Sequence, residues 1–64
     1  MRFKDVKIGQ LFSEDSSCEI LLKVSETESH VYDADKREVF RNHTGTPVAY
    51  EFPYQLEVEE YREK

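Results

Sequence analysis

The sequence predicts an all-β fold, and three observations carry that reading. Apolar and polar residues alternate over short stretches, the period of two that lets an extended chain bury one face. Those stretches are separated by clusters of Ser, Asp, Asn, Gly and Pro, the residues that turn a chain. In the C-terminal third a helix would scatter the apolar residues around its circumference, and Pro53 would break it. Short strands lying close together between turn signals make a small barrel or sandwich.

The elements follow in order. Phe3, Val6, Ile8, Leu11 and Phe12 form a compact apolar opening, with Gly9 as a turn and Leu11-Phe12 entering the first strand. Residues 13–17 are polar and read as a surface loop. Residues 18–24 make the best inner strand: Cys18, Ile20, Leu22 and Val24 share one face, and only Leu21 breaks the polar side. After a connection over 25–28, His30-Val31-Tyr32 is a short strand. An Asp-initiated turn over 33–37 leads to a returning strand over 38–41, which closes a hairpin. Residues 42–47, with Asn, Gly and Pro, form the loop expected to be most mobile.

Val48, Tyr50 and Phe52 then alternate with Ala49 and Glu51, and Tyr54, Leu56 and Val58 alternate with Gln55, Glu57 and Glu59. This reads as two short strands joined at a proline corner. Phe40 and Tyr50 are expected in a core that has few large residues to draw on. Tyr54 stays open, because Pro53 can turn it inward or outward. The tail from about residue 61 is expected to fray.

At 64 residues the chain, taken as a single domain over 1–64, is near the lower limit for a self-sufficient core. Cys18 is the only cysteine, so no disulfide adds stability, and no set of Cys and His has zinc-ligand spacing. Closure of the sheet would help, by burying one face of every strand and removing the edges; self-association is the other remedy. No apolar run is long enough to span a membrane, and the N-terminus lacks a signal-peptide core. A lone cysteine without a secretory signal points to a reducing cytoplasm.

Charge is uneven. The net is −5, yet residues 1–13 are locally +2 and residues 14–35 locally −6. This balance opposes a general nucleic-acid or anionic-membrane binder. Much of it serves solubility; a sharper use is a negative face that meets a basic partner.

Sites of chemistry are sparse. Glu57, Glu59, Glu60 and Glu63 read as a solvated face rather than acid–base catalysts, since nothing nearby promises the burial that raises a pKa. Asp33 and Asp35 start like a calcium loop, but Arg37 stands where a third oxygen ligand is wanted. Cys18, His30 and His43 lack an orienting third group and an oxyanion site. No catalytic residue, metal or cofactor is expected.

Three blocks of the sequence resemble a family of small proteins common in tailed bacteriophages. Residues 3–12 resemble its F-K-D-L-K-x-G-D-x-F opening, residues 23–29 its K-x-S-(D/E)-T-x-A segment, and residues 50–59 its closing F-x-x-D-x-x-V-E. Together they cover about half the chain, in the expected order. Gln10 stands where the pattern prefers Asp, Ser29 where it prefers Ala, and the 33–47 region is longer than usual. The resemblance implies an SH3-like β-barrel of about five or six strands. It implies no chemistry, because the motifs are turn and core residues.

The functional expectation is a non-enzymatic, phage-encoded interaction module in the cytoplasm of a bacterial host. It binds a host protein, such as one that handles nucleic acids, and regulates or inhibits it. Tyr32, Arg41, Tyr50 and Tyr54 are the expected contacts, as Tyr and Arg are enriched at binding hot spots. Glu14, Asp15, Glu26 and Glu28 are the expected steering surface. One alternative is a single-stranded nucleic-acid binder using Arg37, Arg41 and the tyrosines, which the acidic balance opposes. Another is a homo-oligomer or virion component.

Overall fold

The structure, a computed structural model, describes residues 1–14 and 19–61. A 3-10 turn (Phe3–Asp5) precedes six strands: β1 (Leu11–Glu14), β2 (Ile20–Lys23), β3 (Glu28–Asp33), β4 (Glu38–Val39), β5 (Ala49–Glu51) and β6 (Val58–Glu60). The fold is all-β. Every pairing is antiparallel, in one sheet of order β4-β3-β2-β1-β6, with β5 also on β3.

β4 and β5 share one edge of β3, one after the other. Tyr32 and Asp33 pair with β4, while residues 28–30 pair with β5. At the junction Val31 donates to Val48 O and accepts from Phe40 N. The chain between leaves the sheet as an arm over residues 40–48, closed by a bridge between Arg41 and Pro47. Asn42 N donates to Thr46 O and Gly45 N to Asn42 O, with Gly45 in the left-handed region at φ 81°. That is a three-residue hairpin loop, and glycine is what its last position requires. The Asn42 carboxamide oxygen also accepts from Thr44 N, Thr44 Oγ1 and Thr46 N. The stretch read as the loosest loop is thus a hydrogen-bonded hairpin.

The sheet is not closed into a barrel. β6 pairs with β1 on one side, and its other side meets the N-terminal segment, through an Arg2–Glu57 bridge and a Val58 N to Met1 O bond. β5 pairs only with β3. The connection from β5 to β6 folds over the end of the sheet, held by Phe52 N to Thr27 O, Phe3 N to Leu56 O and Lys4 N to Tyr54 O. The proline corner is there, and it turns Tyr54 outward, 59% exposed. Its strands are shorter than the alternation suggested.

The core is Phe3, Val6, Phe12, Leu21 and Val58, with Val31, Phe52 and Leu56 packed against it. Phe3, Phe12 and Phe52 form a tilted cluster with centroids 5.4, 5.5 and 6.0 Å apart. In β2 the buried side chains are Leu21 and Lys23, not Ile20 and Leu22, which are half-buried on the other face along with the neighbouring Val24. Cys18, assigned to the same face as these, lies outside the described residues.

The reason for the inversion is Lys23. Its Nζ donates to Phe3 O at 2.9 Å and sits 4.4 Å above the Phe3 ring. A lysine can line a core when its stem packs and its head finds an acceptor and a ring face. Because side chains alternate, fixing Lys23 inward turns Leu21 inward and Ile20 and Leu22 outward. Phe40 and Tyr50, assigned to the core, are 47% and 41% exposed. They belong to the sheet's edge, and the 3-10 turn and the residue that caps it supply Phe3 and Val6 to the core instead.

Polar residues of the turns complete this frame. Gly9 takes φ 93°, and Gln10 Oε1 accepts from Lys7 N at 3.0 Å, the turn-capping part a shorter Asp carboxylate also plays. Ser25 Oγ caps the β2–β3 connection by accepting from Glu28 N. Ser29 is fully buried with its hydroxyl unpartnered among the described residues.

Candidate interaction groove

The cross-strand registers bring together carboxylates in a way that the sequence does not display. Leu11, Phe12 and Ser13 pair with Leu22, Leu21 and Ile20, so Glu14 and Glu19 flank the end of that ladder. Ile20 pairs with Tyr32, and the residue after it, Asp33, pairs with Glu38. Glu14 and Glu19 line one groove, and the Asp33–Glu38 pair borders a separate hollow. One step inward on the same face are Phe12, Leu21 and Val31. Like charges set directly opposite one another oppose folding. The Asp33 carboxylate is partly compensated, since its Oδ1 accepts from Asp35 N and Lys36 N; these bonds make the Asp-initiated turn read from the sequence.

β5 and the residue after it bring two aromatic rings to the same groove. Tyr50 and Phe52 are next-but-one neighbours on one side of the strand, with centroids 6.1 Å apart. Between them and the Glu14–Glu19 pair is a groove of about 270 Å³ with buried Leu21 as its floor. Carboxylates on one wall and aromatic faces on the other suit an alkylammonium or guanidinium group, whose apolar stem can rest on Leu21.

The eight expected contact residues do not form one face. Glu14 and Tyr50 meet at this groove. Glu26 and Tyr54 line a different hollow of about 280 Å³, with Lys4, Lys23 and Thr27. Arg41 donates from Nη1 to Gly45 O at 2.9 Å and borders a third, of about 360 Å³, with Asp33, Lys36, Glu38, Val39 and Phe40. Tyr32 pairs with Ile20 on the opposite side of the sheet from Tyr50. Glu28 lies 3.9 Å from His30 Nε2, and Asp15 falls outside the described residues. Glu19 and Phe52 were missed as groove residues. The period-two pattern held the signal for Phe52, but Glu19 needed the correct β2 face.

Glu57 and Glu59 are exposed, and Glu57 pairs with Arg2 Nε at 3.4 Å. Among the described residues no group of His, Cys, Asp and Glu side chains is arranged to hold a metal ion. No helix among them is long and apolar enough to cross a membrane. Comparison with family models, curated proteins and solved structures gives no match.

Proposed function

We propose that the protein is a non-enzymatic interaction module that captures a basic segment of a partner protein in the groove between Glu14–Glu19 and Tyr50–Phe52. The carrying observation is that groove: an apolar floor, an aromatic wall and a carboxylate wall in one place. A merely solubilising surface has no reason to set two carboxylates across a groove from an exposed tyrosine and a half-buried phenylalanine. The net charge of −5 steers a cationic partner toward the module, and the rings and Leu21 hold the side chain that arrives. In keeping with the phage-family resemblance, the partner is a host protein whose basic surface serves nucleic acid, and occupying that surface regulates or inhibits it.

The test is affinity capture from bacterial lysate, with and without nuclease, using the wild type and two variants, Glu14→Lys/Glu19→Lys and Tyr50→Ala. The account expects a partner that survives nuclease, is shed by salt, and is lost with both variants. Retention that disappears with nuclease would transfer the reading to single-stranded nucleic acid. Retention untouched by either variant would remove the groove from the account.

A further inference from the structure

One edge of the sheet is open beside the groove. The far side of β6 is met by the N-terminal segment, through the Arg2–Glu57 bridge and the Val58 N to Met1 O bond. β5 pairs with β3 alone, and all three of its residues are exposed. The register fixes which way its backbone groups point. Phe52 N donates to Thr27 O, and Val31 N donates to Val48 O, so these pairs are of the hydrogen-bonded kind. The two kinds of pair alternate along an antiparallel ladder, which makes Ser29–Tyr50 hydrogen-bonded and Glu28–Glu51 and His30–Ala49 not. Tyr50 therefore turns its N–H and C=O toward β3, while Ala49 and Glu51 turn theirs away. Among the described residues no partner meets those outward groups.

Carboxylates flank this edge on both faces. On the outer face Glu28 and Glu51 stand directly opposite one another, in the kind of pair that brings side chains closer. Glu28 has His30 Nε2 at 3.9 Å, and Glu51 has no cation within 4.0 Å among the described residues. On the inner face Tyr50 and Phe52 share the groove with Glu14 and Glu19. Lys4, Lys36 and Arg41 line other hollows.

We infer that the basic segment captured at the groove, in the reading proposed above on which this rests, binds as an added strand on the free edge of β5. Its backbone pairs with the N–H and C=O groups of Ala49 and Glu51. Alternation then assigns its side chains. The residue opposite Tyr50 points to the same face as Tyr50, where Glu14 and Glu19 meet its charge and the rings meet its stem. The residues opposite Ala49 and Glu51 point to the outer face, where a cation relieves the Glu28–Glu51 opposition. The same carboxylates select the occupant. A second copy pairing through β5 would add further carboxylates to this strip, so the edge resists self-association and accepts a segment of opposite sign.

The experiment is amide hydrogen exchange read by NMR on the full chain, free and with a peptide of about ten residues in which lysine or arginine alternates with threonine. The Ala49 and Glu51 amides should exchange freely without peptide and slow by roughly tenfold or more with it. The Tyr50 amide should be protected in both states. A second measurement N-methylates the peptide amides one at a time. Affinity should fall roughly three- to tenfold at every second position and change little between, because only alternate amides face β5. In Glu14→Lys/Glu19→Lys the peptide should bind more weakly and protect less. Binding that depends on those glutamates, yet leaves Ala49 and Glu51 unprotected and shows no period of two, overturns the added strand and leaves the groove standing. Protection with a period of two that persists in the variant keeps the strand and removes the groove. No binding at millimolar peptide overturns both.

Discussion

The two faces of the central strand β2 differ in a way that hydrophobicity alone does not explain. The outward face carries Ile20 and Leu22, with Val24 following, and reads from sequence as the core side. The inward face carries Leu21 and Lys23, both buried to within 4%. The burial of a lysine in preference to isoleucine and leucine is decided by a long-range partner, the Phe3 carbonyl and ring. Face selection in this sheet is set by where the N-terminal turn docks, and the excess apolar character is left half-buried on the other side.

That contrast can be broken at several points, the largest effect first. Phe12→Ala removes a fully buried ring from the three-phenylalanine cluster and should cost about 3–5 kcal/mol, enough to unfold so small a domain in a urea titration. Leu22→Ala, on the outer face, should cost well under half of that. Equal losses would mean the outer face is also core.

Lys23→Met keeps much of the stem but deletes the ammonium, so Phe3 O keeps only Val6 N as donor and the Phe3 ring loses its cation. The expected loss is about 1–3 kcal/mol in the same titration. A neutral outcome would show that the hydrogen bond and ring contact do not select the face. Ser29→Ala should stabilise, by roughly 1 kcal/mol, because it removes a buried hydroxyl that has no partner. A rise in Tm is the readout; destabilisation would reveal a bonding partner for that hydroxyl.

The smallest effect concerns the groove. Glu14→Gln/Glu19→Gln relieves like-charge opposition and should raise stability by a few tenths of a kcal/mol at low salt, with the gain fading as salt is added. The same double variant should bind its partner more weakly. Stability and binding moving in opposite directions is what a site held against its own folding preference produces.

Much of the strand order was legible in the sequence, because turn chemistry is local. Asp33, Gly45 and Pro53 mark reversals that occur where they stand. The faces of the strands were less legible. β2 is apolar on both sides, so its parity could not be read without knowing that Lys23 has a distant acceptor. The exposure of Phe40 and Tyr50 was hidden for the same reason: nothing local shows that Phe3 and Val6 fill the core first. The groove was half visible. Glu14 and Tyr50 stood out by residue type, but Glu19 joins them only once β2 is turned over. Tyr32, Tyr54, Glu26 and Glu28 sit on different strands and connections, a separation that strand alternation alone does not display.

The most direct test of the central claim is a titration of the isotopically labelled protein with a short lysine- and arginine-containing peptide, followed by backbone and side-chain NMR shifts. The account predicts that the largest shifts fall on Glu14, Glu19, Leu21, Tyr50 and Phe52, and that they shrink as salt is raised. Shifts centred on the hollow beside Arg41 or on the outer sheet face, or no shifts at all at millimolar peptide, would contradict it.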